Sequence, residues 1–306
     1  MMLPADSSRT RSATTQPGLG KRSGPVHANV WRPGWHWLLA VPLILWLVVS
    51  ILPFVWMIST SLKSANEANL HMDALLPQDW LSGIQVFGTV WNELHFFQES
   101  INSLVIAVGI VVITWLVYGL AGYAFAVLRF PGRDQIFLLF LLLIFVPGVT
   151  ILIPLLVLLE NLHLTGTPWA VILPIVNGGG SVAIFLLRSY FRSLSPEIRE
   201  SAKIDGASEL RVWGQIYMPL ALPALTYLGI TGFMAGFKEL VLPLLTLTSD
   251  STYPLTLGVY YLNQTEFVQW NLVMAGSLIL ILPILVVYLL FQRYYIQGLT
   301  LGAVRG

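Results

Sequence analysis

The sequence predicts an all-α integral membrane protein with about six transmembrane helices. Three observations predict it. Charged residues make up 10% of the chain and hydrophobic residues 56%, with a mean hydropathy of +0.75; a soluble domain carries roughly 25% charged residues. The apolar residues gather in runs of about 20 or more, enough for a helix to cross a hydrocarbon core about 30 Å thick. The segments between runs alternate in charge, basic then acidic. The net charge of +1 says nothing of partners, and the absence of cysteine excludes disulfides, thiolate catalysis and cysteine metal sites.

The elements follow in order. Residues 1–33 are rich in Ser, Thr, Pro and Gly and read as a disordered cytoplasmic tail; 34–306 form the transmembrane domain. The first span covers about 35–60. It begins too far into the chain, and is too long, for the apolar region of a cleaved signal, so it is expected to be retained. The second covers about 101–128 and the third 135–159. Within the third, Phe137 to Val146 does not alternate apolar with polar, so barrel strands are excluded. A helix satisfies its own backbone groups in lipid. The fourth, about 168–188, is interrupted by Asn177-Gly-Gly-Gly-Ser181, which predicts a kink, close helix packing or a substrate contact by unwound backbone. The fifth, about 219–247, contains Lys238 and Glu239, and the sixth covers about 267–292. Pro147, Pro154, Pro174, Pro243 and Pro283 suggest bends.

Orientation follows from the basic residues. Arg9, Arg11, Lys21, Arg22 and Arg32 precede the first span, Arg129 and Arg133 separate the second and third, and Arg293 and Arg305 follow the sixth. Arg188, Arg192, Arg199, Lys203 and Arg211 separate the fourth and fifth. The alternate loops hold Lys63 as their one base, with Glu67, Asp73, Asp79, Glu93, Glu99, Glu160, Asp250 and Glu266. The two sets separate under six spans with both termini cytoplasmic, in a multi-pass bacterial or archaeal cell membrane protein. The outer loop from Lys63 to Glu99 carries Trp80, Phe87, Trp91, Phe96 and Phe97, which read as interface anchors or as a small docking surface.

The segment 195–214 differs from the rest. Ser195-Pro196-Glu197 has a capping hydroxyl, Pro in the first turn and an acid at the positive end of the helix dipole. A short polar helix to about Ile204 should follow. Gly206 permits a turn with positive φ, and Ser208 caps a second short helix. The expected result is a helix–turn–helix projecting from the inner membrane face, either an ordinary solvated loop or a docking element.

Glu200-Ser-Ala-Lys-Ile-Asp-Gly-Ala207 followed by Ile216-Tyr-Met-Pro219 resembles the "EAA loop" of binding-protein-dependent ABC importer permeases. Ser201 stands where Ala is usual, a small-for-small change. Phe185-Leu-Leu-Arg188, Tyr123 to Gly132 and the tail Gly298 to Gly306 are similar to the carbohydrate-uptake branch, second-subunit type of the maltose system. Phe237-Lys238-Glu239-Leu240 departs from that branch, which often has Trp-Asn-Glu-Phe. The resemblance implies the type I importer permease fold, with 195–214 as the coupling helix seated on an ATPase. Glu200, Ser201, Ala202, Asp205, Gly206, Ala207, Ile216 and Pro219 are then the coupling residues. It implies as partners a second homologous permease subunit, an ABC ATPase dimer and an extracytoplasmic solute-binding protein, besides membrane lipid. ATP and Mg would sit on the ATPase subunits, since the chain lacks the phosphate-loop pattern: Gly20-Lys21 precedes Arg22 and has no upstream glycine.

Lys238 and Glu239 form the charged pair inside a predicted span, where a charge costs about 2.5–3.5 kcal/mol on insertion scales. They read as translocation-path residues, with Asn177, or as an interhelical ion pair with another subunit. The five histidines show no ligand spacing, so no metal site, catalytic residue or nucleic-acid partner is expected. An ion-coupled secondary transporter of a small polar solute is the alternative; it calls for midplane acids, and Glu239 is the candidate.

Overall fold

The computed structural model describes residues 36–71, 74–93, 95–262, 264 and 268–303. The tail 1–33, with its arginines, lies outside them, as do Asp73, Glu266, Phe267 and Arg305. The chain divides into two units, Met1–Ile51 and Leu52–Gly306. The described part of the first unit belongs to helix α1 (His36–Ser61). Its side chains from Val41 to Ile51 are exposed on every face and, but for Ser50, apolar, the pattern of a helix solvated by lipid.

The second unit is built of helices. After the end of α1 come α2 (Ala65–Leu70) and α3 (Trp80–Glu93). Then α4 (Phe96–Ile113), a π-helical turn (Thr114–Tyr118) and α5 (Gly119–Val127) make one rod of 32 residues, about 48 Å at 1.5 Å per residue. The helix α8 (Trp169–Arg192) and the helix α15 (Trp270–Ala303) are also long and apolar enough to cross a membrane. Pro174 and Pro283 lie within these continuous helices.

Two further stretches are bent. The third predicted one is not a single helix: α6 (Arg133–Leu142) and α7 (Leu152–Asn161) are separated by 3₁₀ turns, and the pair bends by 96°. Pro147 stands at the break. It lacks an N–H, and it drives Val146 into extended backbone, φ −83° and ψ 115°. The break presents Phe145 and Val149 at more than four-fifths exposure. The second bend, 79°, lies between Glu209–Leu220 and α12 (Leu222–Lys238). With each bent pair as one span, the candidate spans number six among the described residues.

The stretch 219–247 also divides. Helix α12 ends at Lys238, Glu239 takes extended backbone, and α13 (Val241–Thr246) restarts with its Leu242 N–H donating to Glu239 Oε1. The short α14 (Leu255–Leu262) precedes α15. Helix α12 packs against α4, α8 and α15, and α4 also packs against α8. The Gly-rich run of α8 does not unwind. Gly180 is its point of close approach: a Cβ there would stand 2.3 Å from the Tyr118 hydroxyl, which donates to Val176 O at 2.9 Å. Gly178 and Gly179 are open.

The end of the unit near Lys63 is pinned by side chains bonded to backbone. Lys63 is fully buried, its Nζ donating to the carbonyls of His71 and Ala74. Its own carbonyl accepts from Asn271 Nδ2. Glu67 Oε1 accepts the Gln78 N–H. Asn102 Nδ2 donates to the carbonyls of Ser251 and Tyr253, at 2.8 and 2.9 Å.

Candidate functional site: the polar helical hairpin

The segment after α8 forms two short helices, α9 (Pro196–Ile204) and α10 (Glu209–Val212). Local chemistry dictates both. Ser195 caps α9, its side chain accepting the Glu197 N–H, and Pro196 takes the first turn, where its missing donor costs nothing. Ser208 caps α10 by accepting the Arg211 N–H. Between them the chain reverses in a Schellman motif: the Ala207 N–H reaches Ala202 O, and the Gly206 N–H reaches Lys203 O, each at 3.0 Å. That motif requires a left-handed residue after the cap, and Gly206 has φ +80° with open space around it. The constraint at 206 is therefore backbone strain and not crowding.

One face of the hairpin is joined to the spans. Ala202, Val212 and Tyr217 belong to the same buried apolar cluster as Tyr123 of α5 and Leu187 and Phe191 of α8. The Tyr123, Phe191 and Tyr217 rings meet edge to face, with centroids 5.0–6.3 Å apart. A polar lock lies beside them. Arg199 holds Glu209 through two guanidinium nitrogens, Lys203 Nζ stands 3.2 Å from the same carboxylate, and the Tyr123 hydroxyl donates to it at 2.6 Å. The Arg199 hydrogen bond chiefly, helped by Tyr123 and Lys203, holds the Glu209 carboxyl down at about 2, from an ordinary 4.5. Glu209 therefore ties α10 both to α9 and to α5.

The other face is open. Glu200, Ser201, Asp205 and Gly206 are exposed, Ala202 is buried, and Ala207 and Ile216 are half-buried against the apolar cluster. Pro219 is exposed in the single-turn helix α11 (Met218–Leu220). Two aliphatic side chains project here from an otherwise polar surface, Ile204 at 86% exposure and Leu210 at 68%. Sequence reasoning passed over both, and over Glu209. The available signal for Glu209 was the spacing of Arg199 and Lys203, four apart on one helix face and in want of an acid.

The residues predicted for a path lie elsewhere. Lys238 is exposed at the end of α12, and Glu239 is half-buried as the cap of α13. Asn177 is exposed on α8. One residue pair beyond it, Gly179 lines a cavity of about 250 Å³ shared with Thr114, Tyr227 and Thr231. Among the described residues no cluster of His, Asp or Glu has the makings of a metal site.

Comparison with known proteins agrees with this arrangement. The structure of a bacterial ABC transporter that imports the acidic polysaccharide alginate contains a chain of the same fold: TM-score 0.72, 22% identity, 85% of this chain and 96% of that one. The inner membrane ABC transporter permease protein YcjP of Escherichia coli is 33% identical over 86% of this chain and 94% of its own length. The arabinooligosaccharides transport system permease protein AraQ of Halalkalibacterium halodurans is 30% identical, covering 88% and 96%. The trehalose/maltose transport system permease protein MalG of Thermococcus litoralis is 31% identical, with the same coverage. Residues 118–300, from the π-helical turn through the hairpin into the last helix, match the family pattern itself, and the chain belongs to the binding-protein-dependent transport system inner membrane components.

Proposed function

We propose that this permease passes a carbohydrate, delivered by an extracytoplasmic solute-binding protein, through a path shared with a second homologous permease subunit, and that separate ATPase subunits drive it by gripping the hairpin. The substrate class rests on the arabinooligosaccharide and trehalose/maltose permeases among its relatives. In this reading the hairpin and both termini are cytoplasmic, in line with the segregation of basic residues. The chain itself does no chemistry, and ATP and Mg belong to its partners.

The observation that carries the proposal is the two-faced hairpin. Its inner face is continuous with the packed spans through Ala202, Val212 and Glu209. Its outer face offers Ile204 and Leu210, with Glu200 and Asp205 beside them. An element joined to the membrane domain by packing and ion pairs, with exposed apolar groups on its far side, transmits displacement in both directions. A cleft on an ATPase that buries Ile204 and Leu210 would move the spans when it moves. Glu200 and Asp205 pair with basic groups of that cleft and Ser201 keeps the approach close, while Ala202, Ala207 and Ile216 turn inward and hold the hairpin against the spans, with Pro219 at the entry to the next helix. Tyr227 and Thr231, with Asn177 and Lys238, supply polar groups for sugar hydroxyls along the path. Glu239 is committed to its cap, which counts against an ion-coupled carrier built on that acid.

The test is Gly206→Val in the reconstituted importer. A β-branched residue at positive φ costs about 1–2 kcal/mol, equivalent to about tenfold. Uptake of labelled oligosaccharide should fall by that factor or more, while the amount of membrane-inserted chain and the ATP hydrolysis of the complex persist. Unchanged uptake would overturn the coupling assignment.

A further inference from the structure

Beyond the coupling function, the structure carries a second feature that the permease reading does not use. A cavity of about 900 Å³ opens between the end of α5, the 129–133 loop, the end of α8 and the first turn of α9. Four arginines line it, Arg129, Arg133, Arg192 and Arg199, against one acid, Glu200. Arg199 is held by Glu209, and Arg133 and Arg192 share the exposed Asp134 with Arg188. Arg129 is exposed and makes no ion pair among the described residues. Like charges gathered this way repel one another unless an anion joins them.

The remaining walls are apolar, Leu128 and Phe130 among them. Just outside, Ile136, Leu139 and Leu143 are exposed at helical spacing on the flank of the third stretch. Guanidinium groups in the cavity wall thus lie close in sequence to a strip of exposed apolar side chains. A phosphate group fits the first part, since arginine takes phosphate bidentately. Only a phosphate that carries acyl chains fits both. We infer that this cavity binds the headgroup of an anionic phospholipid, its phosphate against Arg129 and Arg192 and its chains along Ile136 and Leu139. The lipid then bridges the 129–133 loop, α8 and α9, so that the bilayer itself braces the root of the hairpin. Basic pockets at the ends of transmembrane helices are a known form of lipid recognition.

The experiment is native mass spectrometry of the full chain, alone and assembled with its ATPase, after equilibration with phosphatidylglycerol or phosphatidylcholine. Phosphatidylglycerol should be retained over phosphatidylcholine in both preparations. Each lost surface arginine should weaken retention about fivefold. Arg129→Gln is the informative single variant because it breaks no ion pair, and Arg129→Gln with Arg192→Gln should lose roughly twentyfold. Arg129→Lys should restore most of the binding, and Arg211→Gln, on α10 and away from the cavity, should change nothing. Equal retention of the two lipids, or indifference to Arg129 and Arg192, would overturn the inference. Displacement of phosphatidylglycerol by inorganic phosphate at equal concentration would make the cavity a free-anion site. Loss of the lipid on assembly would make it a seat for the ATPase. Either result removes the lipid from the proposal.

Discussion

The two ends of the second unit are held together by different chemistry. At the hairpin end five ion pairs between described residues join side chain to side chain, with Asp134 and Glu209 each taking several cations. At the Lys63 end polar side chains are spent on backbone: Lys63 on two carbonyls, Asn102 on two more, Glu67 on an N–H group. A side chain bonded to backbone fixes the course of a loop and responds little to salt. A shared ion pair tolerates shifts of its members and is screened by salt. The difference teaches that one end is built to hold a shape, and the other to stay joined while its parts are displaced.

The sharpest way to break this comparison is Lys63→Met. Two part-buried carbonyls, of His71 and Ala74, lose their charged donor, at a cost of about 1–3 kcal/mol. Hydrogen exchange over residues 64–79 should accelerate strongly, and unchanged exchange would mean that the lysine is a passenger. Asn102→Ala should cost about 1–2 kcal/mol for its two bonds and loosen the 249–254 loop, read in the same experiment. Glu209→Gln should cost least, about 1 kcal/mol, since the carboxylate is a third exposed. Its effect should be confined to exchange in 196–213. High salt should weaken the wild-type hairpin and leave 64–79 untouched.

The pH dependence sharpens the same contrast. The Glu209 carboxyl is held at about 2 from 4.5. Being depressed, it lends the hairpin stability that is complete above about 4.5 and is lost as pH falls through about 2. Hairpin protection should therefore be flat through the neutral range and fail only in strong acid. Glu209→Gln should abolish that acid step.

Much of this was readable in the letters, and the exceptions have physical reasons. The hairpin was readable because its determinants are local: Ser195, Pro196, Gly206 and Ser208 each act within a few residues of themselves. Its lock was not, because Tyr123 lies 86 residues from Glu209. Ile204 and Leu210 drew no reading from the sequence, since an aliphatic residue in a short polar helix is as easily buried as exposed; the fold leaves both uncovered. Lys63 read as the one base of the outer loops, and nothing in its neighbours foretold that the carbonyls of His71 and Ala74 would take its ammonium. Pro147 announced a bend but not one of 96°. Lys238 and Glu239 read as members of one continuous helix because hydropathy runs on past them, whereas the helix stops between them.

The positive φ of Gly206 has a consequence for how the gene can vary. Every glycine codon begins with two guanines, so a single base change reaches only Ala, Val, Ser, Arg, Cys, Trp, Asp or Glu. Of these, Asp alone visits the left-handed region with any ease; Asn, the other residue that does so, lies two changes away. Drift at this position is therefore nearly closed, whatever the neighbouring residues become, and a lineage that leaves glycine there should pass through aspartate first.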